Sequence, residues 1–181
     1  MKRYLLDTDI VVFLFRNNRK VYNHIKNLSP HQIYISDVTV AELEYGNHCS
    51  GRYEENREML EDFLSQVNVI PFSDAIPLYA KERFRLRQRG LSIMDFDLII
   101  ACTSIVNNMI MVTNNAKHFN RVEGITIENW IEECYISSTY LSSRKARALR
   151  DFCFPSSPFF QIFPRHYSFR HKPSWNHNDR F

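Results

Sequence analysis

The sequence predicts an α/β fold in which a central, mainly parallel sheet is covered by helices on both faces. Short apolar runs rich in β-branched and aromatic residues alternate with longer segments of helical periodicity. Strands that are separated by helices need crossover connections, and these connections join parallel neighbours. The chain has 181 residues, of which 44% are hydrophobic, so it is long enough to bury a core of this kind.

The first elements can be justified in order along the chain. The apolar run at 3–6 predicts a strand, and the apolar spacing at 8–16 predicts the helix that follows it. A second short helix is expected at 21–28. The segment QIYI at 32–35 has the β-branched and aromatic character of a strand. The segment 38–47 is again helical.

The later elements repeat the same alternation. An amphipathic helix is expected at 54–66, because Met59, Phe63 and Leu64 lie on one side of it. Gly90 suits the position just after a helix, where a left-handed backbone is favoured. The remaining predicted helices are 75–89 and 95–106, and the remaining strands are 67–71, 109–112 and 124–127.

Two short segments match the capping-box signature of a helix start. Thr39 and Glu42 have the required spacing, and so do Ser92 and Asp95. Asp97 then falls in the first turn of its helix, where a negative charge is favoured. Taken singly, each of these acidic residues is explained by helix formation alone.

The charge of the chain divides it into two parts. Residues 136–181 hold eight of the 23 Lys and Arg but two of the 20 Asp and Glu, which leaves 15 basic against 18 acidic residues before residue 136. We therefore expect one domain at 1–135 and an irregular, basic, aromatic and Pro-rich extension at 136–181, which is poorly ordered. Two alternatives for the extension stay open: an arm that binds RNA by charge and stacking, or residues read past a lost stop codon.

Several classes of protein are excluded by composition. No apolar run approaches the ~20 residues of a membrane span, and Asp7 and Asp9 interrupt the segment that a signal peptide would need. The four cysteines form no CxxC pair, and Cys102 lies in an apolar run typical of a core. We expect a cytoplasmic protein with reduced thiols and no membrane contact.

Three carboxylates are predicted to meet at one edge of the sheet. Asp7 directly follows the first strand, Glu42 lies about one turn beyond the second, and Asp97 begins a later helix. The carboxyl ends of parallel strands share an edge, where such sheets bind their ligands. Three carboxylates in one cleft repel one another unless a cation compensates them, and oxygen ligands suit Mg²⁺ or Mn²⁺. Such a metal ion can activate water for phosphoryl displacement.

Four separated blocks of the chain also resemble a known family. MKRYLLDTDIVVFLFRN, YISDVTVAELEYG, FDLIIACTS and MVTNNAKHFNRVEGITIENW are similar, in order and spacing, to the blocks of PIN-domain ribonucleases, and more narrowly of VapC-type toxins of type II toxin–antitoxin pairs. The resemblance covers about residues 1–133. It implies a three-layer α/β/α fold, Mg²⁺-dependent cleavage of single-stranded RNA by a metal-activated water, a small antitoxin partner and a homodimer.

The resemblance also assigns roles to individual residues. Asp7, Glu42 and Asp97 match the metal-binding acids of the family. The fourth catalytic position falls on Asn115, which adds no negative charge and so leaves a second metal ion open.

Further residues surround these four positions. The resemblance makes Asp95, Thr8 and Thr113 supporting residues. Asp9 occupies a position that the family often fills with Asn or Ser, so it is not assigned to the metal. Four arginines crowd one helix, where they form either a solvated face or a patch that guides RNA: Arg83, Arg85, Arg87 and Arg89.

Two other functions are considered. LLDTDIV also fits the opening motif of haloacid-dehalogenase-like phosphatases, with Asp7 as nucleophile, Asp9 as general acid and Ser36 in the second motif. That interpretation leaves Glu42 and the TNNAKHF segment unexplained. Alternatively, the domain is a PIN-like binding module whose chemistry is impaired by Asn115 or blocked by the extension.

Overall fold

A computed structural model describes residues 1–131 of the chain. The predicted extension at 136–181, and the domain boundary at residue 135, lie outside the described residues. The strands are β1 (Tyr4–Leu6), β2 (Ile33–Ser36), β3 (Asn68–Ile70), β4 (Ile110–Val112) and β5 (Ile127–Glu128). The helices are α1 (Thr8–Phe15), α2 (Arg19–Ile25), α3 (Asp37–His48), α4 (Tyr53–Leu64), α5 (Ile76–Gln88), α6 (Asp95–Val106) and α7 (Ala116–Phe119), and short 3-10 helices span Pro30–Gln32 and Phe72–Ala75.

The five strands form one parallel sheet in the order β3-β2-β1-β4-β5. β1 lies at its centre, and all three of its residues are buried, as expected for a strand covered on both faces. Because every strand runs in the same direction, all carboxyl ends lie at one edge. This edge is called the carboxyl edge below.

Helices cover both faces of the sheet, because successive side chains of a strand point to opposite sides. Leu6 and Val112 belong to one core, with Phe15 and Phe63 from the helices on that side. Leu5 and Met111 belong to the second core, with the α6 residues on the other side. The predicted three-layer α/β/α architecture is confirmed for residues 1–131.

The observed helix ends confirm one predicted capping residue and contradict two predicted capping boxes. The backbone of Gly90 has φ +66°, and Leu91 N–H donates to the Leu86 carbonyl at 2.9 Å, so α5 ends in the predicted glycine motif. The two predicted capping boxes are wrong. Ser36 caps α3, which places Glu42 in the second turn, and Met94 precedes α6 without a side-chain cap.

Other differences from the predicted elements are small. The last strand lies at Ile127–Glu128 rather than 124–127, because Gly124 has φ +80° and turns the chain before it. The single-turn helix α7 and the two 3-10 helices were not predicted. Cys102 is fully buried, as predicted, and burial raises the pKa of its thiol to about 12. Within residues 1–131, every helix is too short or too polar to span a membrane.

Candidate active site

Two neighbouring strands deliver polar side chains to the carboxyl edge. Asp7 follows β1 and Thr113 follows β4, and these strands are adjacent in the sheet. The Asp7 N–H donates to the Val112 carbonyl at 2.9 Å, so the ladder continues one residue beyond the strand. Asp7 and Thr113 are therefore brought together by the backbone, and both are fully buried.

Both carboxylate oxygens of Asp7 accept hydrogen bonds. Oδ1 accepts from the Thr8 N–H at 2.9 Å, which caps α1. Oδ2 accepts from the Thr113 hydroxyl at 2.8 Å. The Thr113 oxygen in turn accepts from the Asn115 N–H at 3.0 Å. These bonds fix the orientation of the Asp7 carboxylate from two sides.

Thr8 connects this carboxylate to a second one. Its hydroxyl donates to Oε2 of Glu42, which lies in the second turn of α3. The backbone of Thr8 therefore contacts Asp7, and its side chain contacts Glu42. The structure brings together these two predicted acids and both predicted threonine supports.

Asp97 approaches the same edge from α6. It is only 2% exposed, and Nε2 of His118 lies 3.5 Å from its Oδ2. His118 belongs to α7, the single turn that follows Thr113 and Asn115. The segment after β4 thus contacts Asp7 through Thr113 and Asp97 through His118.

His118 is the residue of this site that the sequence did not single out. A lone histidine before a buried phenylalanine carries no spacing that identifies a partner 21 positions earlier. The only available signal was its place in TNNAKHF, three residues after Asn115. Asn115 itself lies at the start of α7, and its side chain makes no capping bond there.

Asp9 and Asp95 lie beside the site in different roles. Asp9 is in the first turn of α1, and its Oδ2 accepts from the Asn114 N–H at 3.3 Å, which ties α1 to the end of β4. Asp95 contacts α5 instead. It accepts from Arg83 at 2.9 Å and from the Tyr79 hydroxyl at 3.1 Å, so its supporting role stays a prediction.

Three of the four arginines at the end of α5 and just after it form ion pairs. Arg83 pairs with Asp95, Arg89 pairs with Glu123, and Arg85 binds Glu82 at 2.6 Å and Glu123 at 3.1 Å. Arg85 also donates to a carbonyl of the loop before β5, so it has a structural role that the sequence did not predict. Arg87 is exposed and has no ion pair within residues 1–131. RNA guidance by these arginines stays a prediction.

The donor set fits a hard divalent cation in its chemistry. Asp7 and Asp97 are buried carboxylates at the carboxyl edge. Glu42 is connected to Asp7 through Thr8, which is hydrogen-bonded to both residues. Burying carboxylates is unfavourable unless positive charge or hydrogen bonds compensate them. In the arrangement that residues 1–131 adopt, however, no three Asp, Glu, His or Cys side chains come close enough together to hold a metal ion. Metal binding therefore stays a prediction.

This fold and edge define an α/β domain of the PIN class. A model of the PIN domain matches residues 4–125. The chain therefore belongs to the PIN-domain family, and the resemblance noted in the sequence is confirmed.

Comparison with individual relatives gives a more specific similarity than the family model does. The chain is 39% identical over 130 residues to Ribonuclease VapC2 of Rickettsia felis, which covers 70% of this chain and 97% of the relative. It is 33% identical to the tRNA(fMet)-specific endonuclease VapC of Shigella flexneri, covering 72% and 99%.

Solved structures of VapBC are also similar to this chain. One is VapBC2 from Rickettsia felis bound to a DNA fragment from their promoter, with 36% identity, a TM-score of 0.64 and coverage of 71% of this chain and 98% of the other. Another is DNA-bound VapBC from Salmonella typhimurium, with 30% identity, a TM-score of 0.67 and coverage of 72% and 100%.

Proposed function

We propose that this chain is a Mg²⁺-dependent endoribonuclease, the toxin of a toxin–antitoxin pair, which cleaves single-stranded regions of RNA with a metal-activated water. Mn²⁺ could replace Mg²⁺ because both prefer oxygen ligands. The observation that carries the proposal is the hydrogen-bonded series from Glu42 through Thr8 and Asp7 to Thr113 at the carboxyl edge. Family membership supports the same function.

Asp7, Glu42 and Asp97 would hold the cation. When bound, Mg²⁺ makes water a stronger nucleophile and stabilises the charge that develops on a phosphoryl group. The chain's own groups prepare for this. Thr113 and the Thr8 N–H fix Asp7, and the Thr8 hydroxyl fixes Glu42.

The names of the relatives support an RNA substrate. The Rickettsia felis relative is called a ribonuclease, and the Shigella flexneri relative is called a tRNA(fMet)-specific endonuclease. We infer RNA as the substrate class for this chain and leave its target sequence open.

The solved neighbours also support a protein partner. The Rickettsia felis and Salmonella typhimurium structures are described as VapBC, a name that joins the VapC of the relatives to a second component. We propose a small cognate antitoxin, a homodimer of this chain and a cytoplasmic location, where RNA substrates occur.

Purified full-length chain, freed of antitoxin, can test the proposal. Labelled RNA with single-stranded loops is incubated with Mg²⁺, with Mn²⁺ or with EDTA. The Asp7→Asn variant is compared with Asp62→Asn. Asp62 is a suitable control because it lies on α4, whose last turn leads to the opposite edge of the sheet.

Cleavage by wild type and Asp62→Asn, but not by Asp7→Asn or in EDTA, is the expected result. Equal cleavage by wild type and Asp7→Asn would overturn the proposal. Calorimetric titration of Mg²⁺ gives a readout that is independent of activity, and Asp7→Asn should weaken that binding.

A second candidate function is a PIN-like module that binds its partner without cleaving RNA. The observation that favours it is Asn115, whose amide adds no negative charge at the fourth position of the site. Intact RNA in every reaction, together with antitoxin binding by the same preparation, would select this alternative. The phosphatase interpretation gains no such observation, because Ser36 serves as the cap of α3.

A further inference from the structure

Two aromatic side chains are exposed beside the candidate active site. Tyr45 on α3 is 64% exposed, and Phe96 on α6 is 50% exposed. Tyr45 lies three residues after Glu42, and Phe96 directly precedes Asp97. Because α3 packs against α6, the helices that carry these two aromatic residues are neighbours.

Helix geometry places each aromatic residue at the rim of the site. Three residues along an α-helix give about 4.5 Å of rise and about 60° of rotation, so Tyr45 follows Glu42 on nearly the same side of α3. Adjacent residues differ by about 100°, so Phe96 points away from the interior in which Asp97 is buried. An outward aromatic ring thus accompanies an acidic residue of the site on each helix.

The charges around the site bear on how these rings could contribute to RNA binding. Arg83, Arg85 and Arg89 are engaged with acidic residues of the protein. The site itself holds carboxylates, which repel phosphates. Aromatic side chains can add binding free energy that does not depend on charge, because the flat face of any unpaired base can stack on them.

We propose that Tyr45 and Phe96 stack bases of single-stranded RNA on two sides of the candidate active site. The proposal rests on the proposed ribonuclease function and adds the groups that hold the substrate. Stacking requires a base whose face is accessible, so these two residues would select unpaired nucleotides over duplex RNA.

Isolated exposed hydrophobic residues are common on protein surfaces, so a matched control is needed. Phe84 on α5 has the same 64% exposure as Tyr45 but no predicted metal ligand within a helical turn. Full-length chain carrying Asp7→Asn keeps the RNA intact. Binding is measured with a single-stranded RNA that contains the fluorescent base 2-aminopurine, whose emission reports stacking.

Tyr45→Ala and Phe96→Ala should each weaken RNA binding by about 5- to 100-fold, the range expected for loss of one stacked base. The dependence of Kd on salt should keep its slope, because no phosphate contact is lost. Tyr45→Trp and Phe96→Tyr should restore both the affinity and the 2-aminopurine signal. Phe84→Ala should bind like the parent protein.

Three results would overturn the proposal. The first is unchanged RNA binding in both alanine variants. The second is an equal loss in Phe84→Ala. The third is a loss that coincides with a change of molecular mass in light scattering, which would assign the rings to contact with a second copy. The proposed function is judged separately, by cleavage with the chain that keeps Asp7: cleavage there together with any of these three results overturns the stacking proposal alone.

Discussion

The hydroxyl of Thr113, at the end of β4, donates a hydrogen bond of 2.8 Å to the carboxylate of Asp7, at the end of β1. Both residues are fully buried, so the bond is protected from water. It connects two adjacent central strands at the point where the proposed chemistry takes place. Removing the hydroxyl tests whether this bond orients Asp7.

Thr113→Val should lower RNA cleavage by about 10- to 100-fold, because an ill-positioned catalytic group raises the barrier steeply. It should lower the free energy of unfolding by about 1–3 kcal/mol, the cost of a buried acceptor left without that donor. Cleavage assays and urea unfolding measure the two effects. Thr103→Val is the control, since Thr103 is equally buried but donates within α6; similar losses of cleavage in both variants would refute the orienting role.

Glu42→Gln should abolish cleavage while the protein stays folded. The amide oxygen can still accept from the Thr8 hydroxyl, but the negative charge that would attract a cation is gone. The matched change Glu44→Gln lies on the same helix, where Glu44 accepts from Tyr53 at 2.9 Å. That variant should retain cleavage, and calorimetric titration should show weaker Mg²⁺ binding for Glu42→Gln alone. Normal activity of Glu42→Gln would remove Glu42 from the proposed ligand set.

His118→Ala should reduce cleavage more than His118→Gln does. Glutamine retains a side-chain N–H that can approach Oδ2 of Asp97, now 3.5 Å from the imidazole, whereas alanine has none. Measuring the Mg²⁺ concentration for half-maximal cleavage separates loss of cation affinity from loss of rate. Identical behaviour of the two variants would show that the contact with Asp97 is not used.

Glu82→Gln should destabilise the fold without affecting the site directly. Glu82 is 2% exposed and receives a two-pronged contact from Arg85, with further support from the Glu123 N–H. Arg85 keeps its contacts with Glu123 and with the Arg121 carbonyl, so the loss should be about 1–3 kcal/mol, the range for a hydrogen bond to a charged group. Glu123→Gln is the control: its carboxylate is exposed, so the same measurement should show a loss below about 1 kcal/mol.

The same residue gives a pH prediction. The Arg85 hydrogen bond lowers the pKa of Glu82 below its usual value of 4.5. As the pH falls, the Glu82 carboxylate is therefore protonated in the unfolded chain before it is protonated in the folded protein. The stability that Glu82 contributes is present above pH 4.5 and is lost as the pH falls through the lower folded pKa. Between pH 6 and pH 3, the free energy of unfolding should decrease less for Glu82→Gln than for the wild type. An equal decrease in both proteins would contradict this prediction.

The sequence predicted most of the fold because its apolar runs are short, buried and regularly separated by helices. It placed Asp7 after the first strand and Asn114 and Asn115 after the strand at 109–112, and a parallel sheet then brings these strand ends to one edge. It failed at the start of α3, where Ser36, Asp37 and Thr39 are all suitable caps. The residue at which β2 ends determines which of them caps the helix, and a local sequence signature does not contain that information.

Contacts between distant segments were also beyond local reasoning. α7 has four residues, too few for a helical period to be recognised. The approach of His118 to Asp97 depends on how α7 meets α6. The pairing of Glu82 with Arg85 matches the spacing of helix neighbours, but the burial of Glu82 follows from the loop that covers it.

The bond between Thr113 and Asp7 joins positions 106 residues apart in a chain that is synthesised from its amino end. The central strand β1 leaves the ribosome early, yet its neighbour β4 and the residues that complete the carboxyl edge emerge only after residue 110. A nascent chain that ends before β4 lacks Thr113, Asn115 and His118, so its site is not assembled. Under the proposed function, this order of strands keeps the chain from cleaving RNA until most of residues 1–131 have been made.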